Sequence, residues 1–443
     1  MRPLCFVLMP FGTKPDGAGA RVDFDAVYRE LIAPAIDAAD FEPLRADEEQ
    51  VGGIIHKSMF ERLLLCEYAV ADLTTANANV FYELGVRHVV RPWSTVLVHA
   101  EGGRLPFDVV PQRTLPYRLT PAGIPADVDV ARNALVKRLT DARAAQVDSP
   151  IYELVEGFQQ PVLESLKLES FRDQVRNTAE LKERIETAQA KGLDALRKVE
   201  HELEPLADAD SSVVISLFRA YAAVEGWAAM IALVEQMSPP LAATAMVQEQ
   251  FALALNRNED PGRALRVLHE LLARRGPSSE TYGILGRVHK DEWNRARSRG
   301  ETTRARGELT KAIAAYVKGF ETDWRDAYPG VNALTLMEAQ DPPDPRNEVL
   351  LPVVEYAVER RIERGEPTYW DLAMRLELAV LRRNEQRGGR ALEDALAAVS
   401  DTFGPSTTAN NLRIIREARA ARGETVPWSD EAERELQAAA GNG

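Results

Sequence analysis

The stretch YAVADLTTANANVFYELGVRHVV, residues 68–90, has the pattern of a strand, a turn and a helix. Its first part, Tyr68–Leu73, is short and apolar apart from Asp72, which predicts a strand. Polar residues follow, and Asn79–Val90 then has apolar residues at helical spacing behind Asn77, a residue that favours helix N-termini. The stretch therefore predicts one strand–turn–helix unit of an α/β domain.

The same alternation extends from the N-terminus to Leu119. Further short segments, most of them apolar, predict strands, and stretches with apolar residues at helical spacing predict helices. These are the strands Cys5–Met9, Glu42–Arg45 and Thr95–His99, a short strand near Thr114–Tyr117, and the helices Phe24–Ala39 and Gly52–Cys66. Pro34 lies within the first helix and is expected to kink it or end it early. Strands separated by helices of this length predict a parallel sheet with helices on both faces.

The pattern changes after Pro121. Two connecting helices are expected, Asp129–Ala145 with Asp129 as its N-cap, and Tyr152–Leu168. From Phe171 onward no strand pattern occurs, and glycine and proline divide the chain into helix-sized segments, which predicts an all-α array. We therefore expect an α/β domain in residues 1–122, connecting helices in 123–170 and a helical-repeat domain in 171–443.

Several segments of the array resemble halves of tetratricopeptide hairpins, although their period is irregular. Examples are DPGRALRVLHELLARR at residues 260–275 and SETYGILGRVHKDEW at residues 279–293. The small residues Ala264, Gly286 and Ala312 occur where two helices of such hairpins would pack closely. The expected fold class is thus α/β followed by all-α, and the array is expected to offer a concave binding surface.

The composition excludes several function classes. Hydrophobic residues make up 45% and charged residues 28% of the 443 residues, a globular balance, and the net charge of −14 argues against a nucleic-acid binder. The six histidines have no metal-ligand spacing with each other or with Cys5 and Cys66, which lie in apolar runs and are expected to be buried thiols. We expect no metal, no cofactor, no membrane segment, no signal peptide and a cytoplasmic location.

The candidate site follows from where ligands bind in open parallel sheets, beyond the carboxyl ends of the strands. We therefore considered the residues that follow each predicted strand. They are Phe11 and Gly12 after the first, Arg45 and Asp47 after the second, Asp72 with Asn79 and Glu83 after the third, and Asp108 after the fourth. We expect Asp72 and Glu83 to act in catalysis and the others to bind the substrate.

Carboxylates at this position suit the chemistry of a nucleotide. One could accept hydrogen bonds from ribose hydroxyls, and the other could attack the anomeric carbon or stabilise a cationic transition state there. Each residue also has a structural explanation. Asp72 could cap the turn, Asn79 could cap the helix, Glu83 could pair with Arg87, Arg45 with Asp47, and Phe11–Gly12 could form a turn.

The run ADLTTANANVFYELGVRH, residues 71–88, together with FVLMPFG, residues 6–12, resembles the deoxyribosyltransferase-like and TIR-like nucleotide-binding domains of bacteria. The resemblance implies a flavodoxin-like sheet in which Asp72 matches a substrate-binding aspartate and Glu83 a catalytic glutamate. The TIR serine or cysteine beside that glutamate is absent, and Phe81 occupies this region. The resemblance therefore does not fix the substrate.

The arrangement as a whole resembles a bacterial TRAFs-binding-domain family, in which such an N-terminal domain is joined to tetratricopeptide-like helices. The segments IAAYVKGFETD, residues 313–323, and AYPGVNALTL, residues 327–336, belong to this resemblance. The layout is related to the central region of apoptosis-signal-regulating kinases, which acts as a regulatory scaffold. No protein-kinase motif is present in the sequence.

Two functions remain open from the sequence. The first is a nucleotide N-glycosidase or glycosyltransferase-like effector acting on an NAD-like or nucleoside ligand, regulated by the repeats and suited to bacterial stress or anti-phage signalling. The second is a non-catalytic signalling scaffold that binds a nucleotide, a protein partner or both. A protein partner on the helical repeats is expected in either case, and homo-oligomerisation stays open.

Overall fold

The computed structural model describes residues 2–15, 21–45, 56–91, 93–102, 114–144, 149–158, 165–203, 205–364, 367–399 and 403–441. The chain divides into two compact units. The first, here the α/β unit, comprises residues 1–224 with 237–244, and the second, the helical unit, comprises residues 225–236 with 245–443. The expected borders at residues 122 and 170 stay predictions.

The α/β unit is built on a six-stranded sheet in the order β4-β1-β5-β6-β7-β8, and a small β2-β3 hairpin. The strands are β1 Leu4–Leu8, β2 Thr13–Pro15, β3 Arg21–Asp23, β4 Glu42–Arg45, β5 Tyr68–Asp72, β6 Thr95–Ala100, β7 Leu115–Leu119 and β8 Pro125–Ala126. The first five strands of the large sheet are parallel, and β8 is antiparallel to β7. Numbered along the chain, the parallel strands have the order 2-1-3-4-5, which is the flavodoxin order. The predicted parallel α/β sheet is confirmed.

Alternate residues of β1 face two separate hydrophobic cores. Cys5 and Val7 pack into the core that contains α1 and α4, whereas Phe6 and its alternate neighbours pack into the core that contains α2 and α3. The helices are α1, formed by the consecutive segments Phe24–Ala26, Val27–Ile32 and Ala33–Ala38, α2 His56–Leu65, α3 Ala78–Val90 and α4 Val128–Asp141. The sheet is thus covered on both faces, which explains the continuous apolar runs of its strands.

Pro34 does not end helix α1, which continues to Ala38. The segment Val27–Ile32, directly before the proline, is π-helical, and the Ala33 N–H donates to the Tyr28 carbonyl five residues back. The wider turn changes the hydrogen-bond pattern beside a residue that has no N–H to donate. The helix therefore tolerates the proline at the start of its last segment.

Two further expectations for the connecting region were wrong. Helix α4 begins at Val128 with Asp127 at its N-cap, and Asp129 lies inside the first turn, where it pairs with Arg132 at 3.1 Å. The helix expected over residues 152–168 is not continuous. One short helix ends at Leu154, and the next helix begins at Ser165. The remaining helices of this unit are α5 Pro150–Leu154, α6 Ser165–Gln189, α7 Leu193–Glu202, α8 Ser211–Ala223 and α10 Pro239–Ala242.

The helical unit consists of helices that pack as successive hairpins. They are α9 Trp227–Gln236, α11 Ala245–Arg257, α12 Pro261–Arg275, α13 Ser279–Ser298, α14 Thr302–Thr322, α15 Ala327–Glu338, α16 Arg346–Arg364, α17 Tyr369–Leu381, α18 Glu385–Ala397, α19 Phe403–Ala421 and α20 Pro427–Gly441. The pairs α11–α12, α13–α14, α17–α18 and α19–α20 form hairpins. No strand follows β8 in the described residues, as expected, and none of their helices is long and apolar enough to cross a bilayer.

The small residues of the array lie at close helix contacts, as the sequence predicts. Ala264 and Ala312 are fully buried. A Cβ atom on Gly286 of α13 would lie 2.7 Å from the ring of Tyr316 on α14. Glycine therefore lets these two helices approach within contact of an aromatic ring.

Gly286 and Gly307 provide a matched test of this packing. We expect Gly286→Ala to lower the free energy of unfolding by about 1–3 kcal/mol, because the added methyl must displace the ring of Tyr316. On Gly307 of α14 a Cβ meets nothing within 4 Å, so Gly307→Ala is expected to stabilise the helix by about 0.5–1 kcal/mol. Urea denaturation measures both, and equal effects of the two substitutions would contradict the close approach.

Candidate functional sites

Asp72 ends strand β5 and is 1% exposed. Its Oδ1 accepts hydrogen bonds from the Thr74 N–H at 3.0 Å and from the Thr74 hydroxyl, and its Oδ2 accepts one from the Tyr117 hydroxyl at 2.8 Å. Burial raises the pKa of the Asp72 carboxyl, and these hydrogen bonds oppose the rise. Both carboxyl oxygens thus have partners within the fold, and Asp72 orders the turn after β5. Its role in substrate binding stays a prediction.

Thr74 extends this arrangement across the sheet. Its hydroxyl lies 2.9 Å from the Tyr117 hydroxyl and accepts a hydrogen bond from the Ala100 N–H at 2.9 Å. Side chains and backbone of β5, β6 and β7 are therefore connected at the carboxyl end of the sheet. Tyr117 has no signal in a local sequence pattern, because it follows Asp72 by 45 residues.

Glu83 lies on α3 and is half-buried. It forms no hydrogen bond and no ion pair with any residue that the structure describes. Burial raises the pKa of its carboxyl to about 7. A carboxyl that is removed from water without a partner is costly to a fold, which makes such groups candidates for chemistry.

The alternative that Glu83 pairs with Arg87 is wrong. Arg87 is 0% exposed, and its Nη1 donates to the carbonyls of Leu63 and Cys66, at 2.8 Å each. Its Nη2 donates to the Ser94 hydroxyl at 3.0 Å. The guanidinium therefore satisfies carbonyls at the C-terminal end of α2, which have no partner within the helix, and holds α2 and α3 near the start of β6.

Phe11, Gly12 and Arg45, which were expected to bind substrate, are brought together at the ends of β1 and β4. The Arg45 guanidinium lies 4.5 Å from the centre of the Phe11 ring and 4.9 Å from that of Tyr28. It donates to Asp25 at 2.7 Å, and the Gly12 N–H donates to the same carboxylate oxygen at 3.3 Å. The Nε of Arg45 is buried without a partner among the described residues. Asp25 and Tyr28 were not predicted as site residues, although both lie in the predicted first helix.

The remaining expected residues are separate from this cluster or outside the description. Asn77 is the N-cap of α3, and its side-chain oxygen accepts from the N–H groups of Asn79 and Val80 at 2.9 and 3.3 Å. Asn79 is exposed in the first turn. Asp47 and Asp108 lie outside the described residues, so their roles stay predictions.

The raised pKa of Glu83 makes stability depend on pH. A carboxyl that binds its proton more tightly in the folded chain stabilises the fold below the ordinary pKa of 4.5, and this contribution is lost as the pH rises through about 7. We expect the free energy of unfolding of the wild type, relative to Glu83→Gln, to fall by up to about 3 kcal/mol between about pH 4 and pH 8. Urea denaturation across this range measures it. Glu153→Gln, at an exposed carboxylate of the same unit, is the control, and identical profiles for the two variants would contradict the assignment.

A second candidate site is a groove of about 820 Å³ in the helical unit. Three aromatic side chains that line it are partly exposed, Tyr328 at 38%, Trp370 at 40% and Phe403 at 47%. The rings of Trp370 and Phe403 lie 6.1 Å apart, edge to face. The sequence predicts a concave surface but not these residues, because they come from helices that are distant in the chain.

A buried polar network forms one wall of the groove. Lys290, 8% exposed, donates to the amide oxygens of Asn332 at 3.0 Å and Asn411 at 2.6 Å. The Asn411 amide nitrogen in turn donates to Glu377, which is 4% exposed, at 3.0 Å. Burial lowers the pKa of Lys290 to about 8 and raises the pKa of Glu377 to about 7. The asparagine thus connects the two buried ionisable groups.

In the part of the chain that the structure describes, no group of three or more His, Cys, Asp or Glu side chains is arranged to hold a metal ion. Cys5 and Cys66 are buried free thiols, as expected. Burial raises the pKa of Cys66 to about 12, so this thiol is kept protonated and unreactive.

A flavodoxin-ordered α/β sheet followed by helical hairpins with an aromatic groove defines the class of this chain. The family model described as the MAP3K TRAFs-binding domain matches residues 80–435. The chain therefore belongs to the MAP3K TRAFs-binding domain family, which confirms that part of the resemblance. The resemblance to deoxyribosyltransferase-like and TIR-like domains stays a prediction.

Individual proteins similar to this chain include a curated relative and a solved structure. Mouse mitogen-activated protein kinase kinase kinase 15 is 23% identical over 305 residues, which are 61% of this chain and 22% of the relative. The chain thus spans about a fifth of the length of that relative. A tetratricopeptide repeat protein from Parabacteroides merdae, solved by crystallography, is 11% identical with a TM-score of 0.35, covering 62% of this chain and 100% of the other.

Proposed function

We propose that this chain is a scaffold whose helical unit binds a protein partner in the aromatic groove. The observation that carries the proposal is the exposure of Tyr328, Trp370 and Phe403 along a groove of about 820 Å³. Large aromatic side chains provide much of the energy of protein association when a partner removes them from water. The neighbouring rings of Trp370 and Phe403 form a surface that a partner side chain could cover.

The groove is also suited to binding because its side chains project from packed helices. Tyr328 lies on α15, Trp370 on α17 and Phe403 on α19, and these helices share one hydrophobic core. Side chains held by packed helices lose little conformational freedom on binding, which favours affinity. Helical arrays commonly present concave surfaces to extended partners. The family description names TRAFs as ligands, which supports a protein ligand here.

Selection of peptides on the full chain tests this proposal. A phage library of random ten-residue peptides is selected on the purified protein, and the affinity of selected peptides is measured by fluorescence anisotropy. We expect Trp370→Ala to weaken binding at least about tenfold, because the exposed ring is lost. Trp324→Ala, at a tryptophan that is 55% exposed and does not line the groove, is the matched control. The proposal fails if no peptide is selected, or if both variants bind selected peptides like the wild type.

A second function, proposed for the α/β unit, is cleavage of an N-glycosidic bond of NAD or a nucleoside. The observation in its favour is Glu83, a half-buried carboxyl without a partner in the described residues, whose pKa is raised to about 7. The ionised carboxylate would attack or stabilise the anomeric carbon as the bond to the base breaks. The base leaves with the electron pair of that bond, and water supplies the hydroxyl and the proton of the products.

Turnover by the purified chain tests this second function. The protein is incubated with NAD, deoxynucleosides and nucleotides, with and without a peptide selected on the groove, and released base is measured by chromatography. We expect wild-type protein to release base and Glu83→Gln to lose at least about a hundredfold in rate. Glu153→Gln controls for the loss of one charge. If neither the wild type nor Glu83→Gln releases base from any substrate, this second function is ruled out and the scaffold proposal is the one that remains.

A further inference from the structure

We propose that the groove binds an extended peptide by holding one of its aspartate or glutamate side chains between Arg257 and Arg287, beside an apolar residue that contacts Trp370 and Phe403. This inference rests on the proposed function of the groove as a peptide site. It names the chemistry of the partner, which neither the family nor the exposed aromatic surface specifies.

The two arginines lie in the groove as neighbours. Arg257 ends α11 and Arg287 lies on α13, and both side chains line the groove. Burial and then the nearby positive charge of Arg287 lower the pKa of Arg257. In the described part of the chain, neither guanidinium forms an ion pair with a carboxylate, and the Nε of Arg287 is buried without a hydrogen-bond partner.

The charges around Arg257 and Arg287 leave a surplus of positive charge in this part of the groove. Asp291 acts on both guanidiniums, and one of its oxygens already accepts from the Asn256 amide at 2.6 Å. Glu225 also acts on Arg257, but it is exposed and does not line the groove. Elsewhere in the groove, positive charges are matched within the fold. Lys290 is connected to Glu377 through Asn411, and Arg361 pairs with Asp371.

Two further carboxylates of the groove are not among the charges that act on Arg257 or Arg287. Glu280 is in the first turn of α13, two helical turns or about 10 Å along the axis from Arg287. Asp326 is the N-cap of α15 and accepts from the Ser279 hydroxyl at 2.8 Å. Of the groove carboxylates that the structure describes, Asp291 is the one that acts on the two guanidiniums, so the groove itself keeps a surplus close to one positive charge between them. One positive charge beside Asp291 fits a singly charged carboxylate better than a doubly charged phosphate.

The aromatic residues lie beside the same subsite. The Arg257 guanidinium is 6.0 Å from the centre of the Phe403 ring, which contacts Trp370 in turn. An acidic side chain that reaches Arg257 would bring its neighbour in the peptide onto these exposed rings. Guanidinium groups that bind a carboxylate form charge-assisted hydrogen bonds, which are stronger than neutral ones.

Peptides selected on the full chain from the random ten-residue phage library test the inference. Each peptide is labelled with fluorescein, and its affinity is compared with versions in which the acidic residue is replaced by its amide or by phosphoserine. We expect selected peptides to share an acidic residue next to an apolar one, and the amide version to bind at least about tenfold more weakly. Arg257→Gln and Arg287→Gln are each expected to cause a similar loss. Arg306→Gln, at an exposed arginine of α14, is expected to cause none.

The outcomes separate this inference from the scaffold proposal. Peptides that depend on Trp370 but lack an acidic residue, or that bind both arginine variants unchanged, would overturn the inference and leave the scaffold. If the phosphoserine version binds more tightly than the acidic peptide, the site prefers a phosphate to a carboxylate, and the inference is also overturned. If no peptide depends on Trp370, both proposals fail. Thermal unfolding confirms that each variant is folded, and Arg257 at the helix end provides the second variant if Arg287→Gln is unstable.

Discussion

Lys290 lies with its ammonium group inside the helical unit, where an unpaired charge would cost several kcal/mol. Asn332 and Asn411 accept its hydrogen bonds, and Asn411 extends the network to Glu377. These side chains come from α13, α15, α17 and α19, which also carry Arg287, Tyr328, Trp370 and Phe403 of the groove. A shift of one helix along its neighbours would leave buried polar groups without partners. The network therefore holds the groove in one arrangement.

The α/β unit contains buried polar groups of two kinds, those with hydrogen-bond partners and one without. Arg87 and Asp72 are buried, and their hydrogen bonds are made to the backbone and to neighbouring side chains. Each stabilises a junction, Arg87 between α2 and α3 and Asp72 in the turn after β5. Glu83 has no such partner in the described residues, and it has an elevated pKa. Of these three charged residues, Glu83 is the one whose burial the fold does not explain, which is the physical basis for assigning it a chemical role.

Local patterns in the sequence predicted the sheet, the change to helices and the close contact at Gly286, because period and residue size act within one element. Local patterns did not predict contacts between residues that are distant in the chain. The alternative to substrate binding by Arg45 was a pair with Asp47, two residues away, whereas the structure pairs Arg45 with Asp25, twenty residues earlier. Lys290 and Asn411 are 121 residues apart, so no local pattern could reveal the network. The continuous helix expected over residues 152–168 was wrong for a local reason. Gly157 adopts a φ of +79°, which favours a turn at this position.

The net charge of −14 has the same sign as an acidic partner and opposes its approach. Over distance, a negative protein repels a negative peptide and slows their encounter. At physiological salt, however, charges separated by more than about 8 Å are largely screened, whereas partly buried charges are not. Once a carboxylate has entered the groove, it lies next to Arg257 and to the half-buried Arg287, which therefore act on it more strongly than the distant charges of the surface. The overall charge sets the rate of encounter, and the two guanidiniums set how long the complex lasts. A surface that repels acidic chains in general and retains the one that fits the groove is a basis for selectivity.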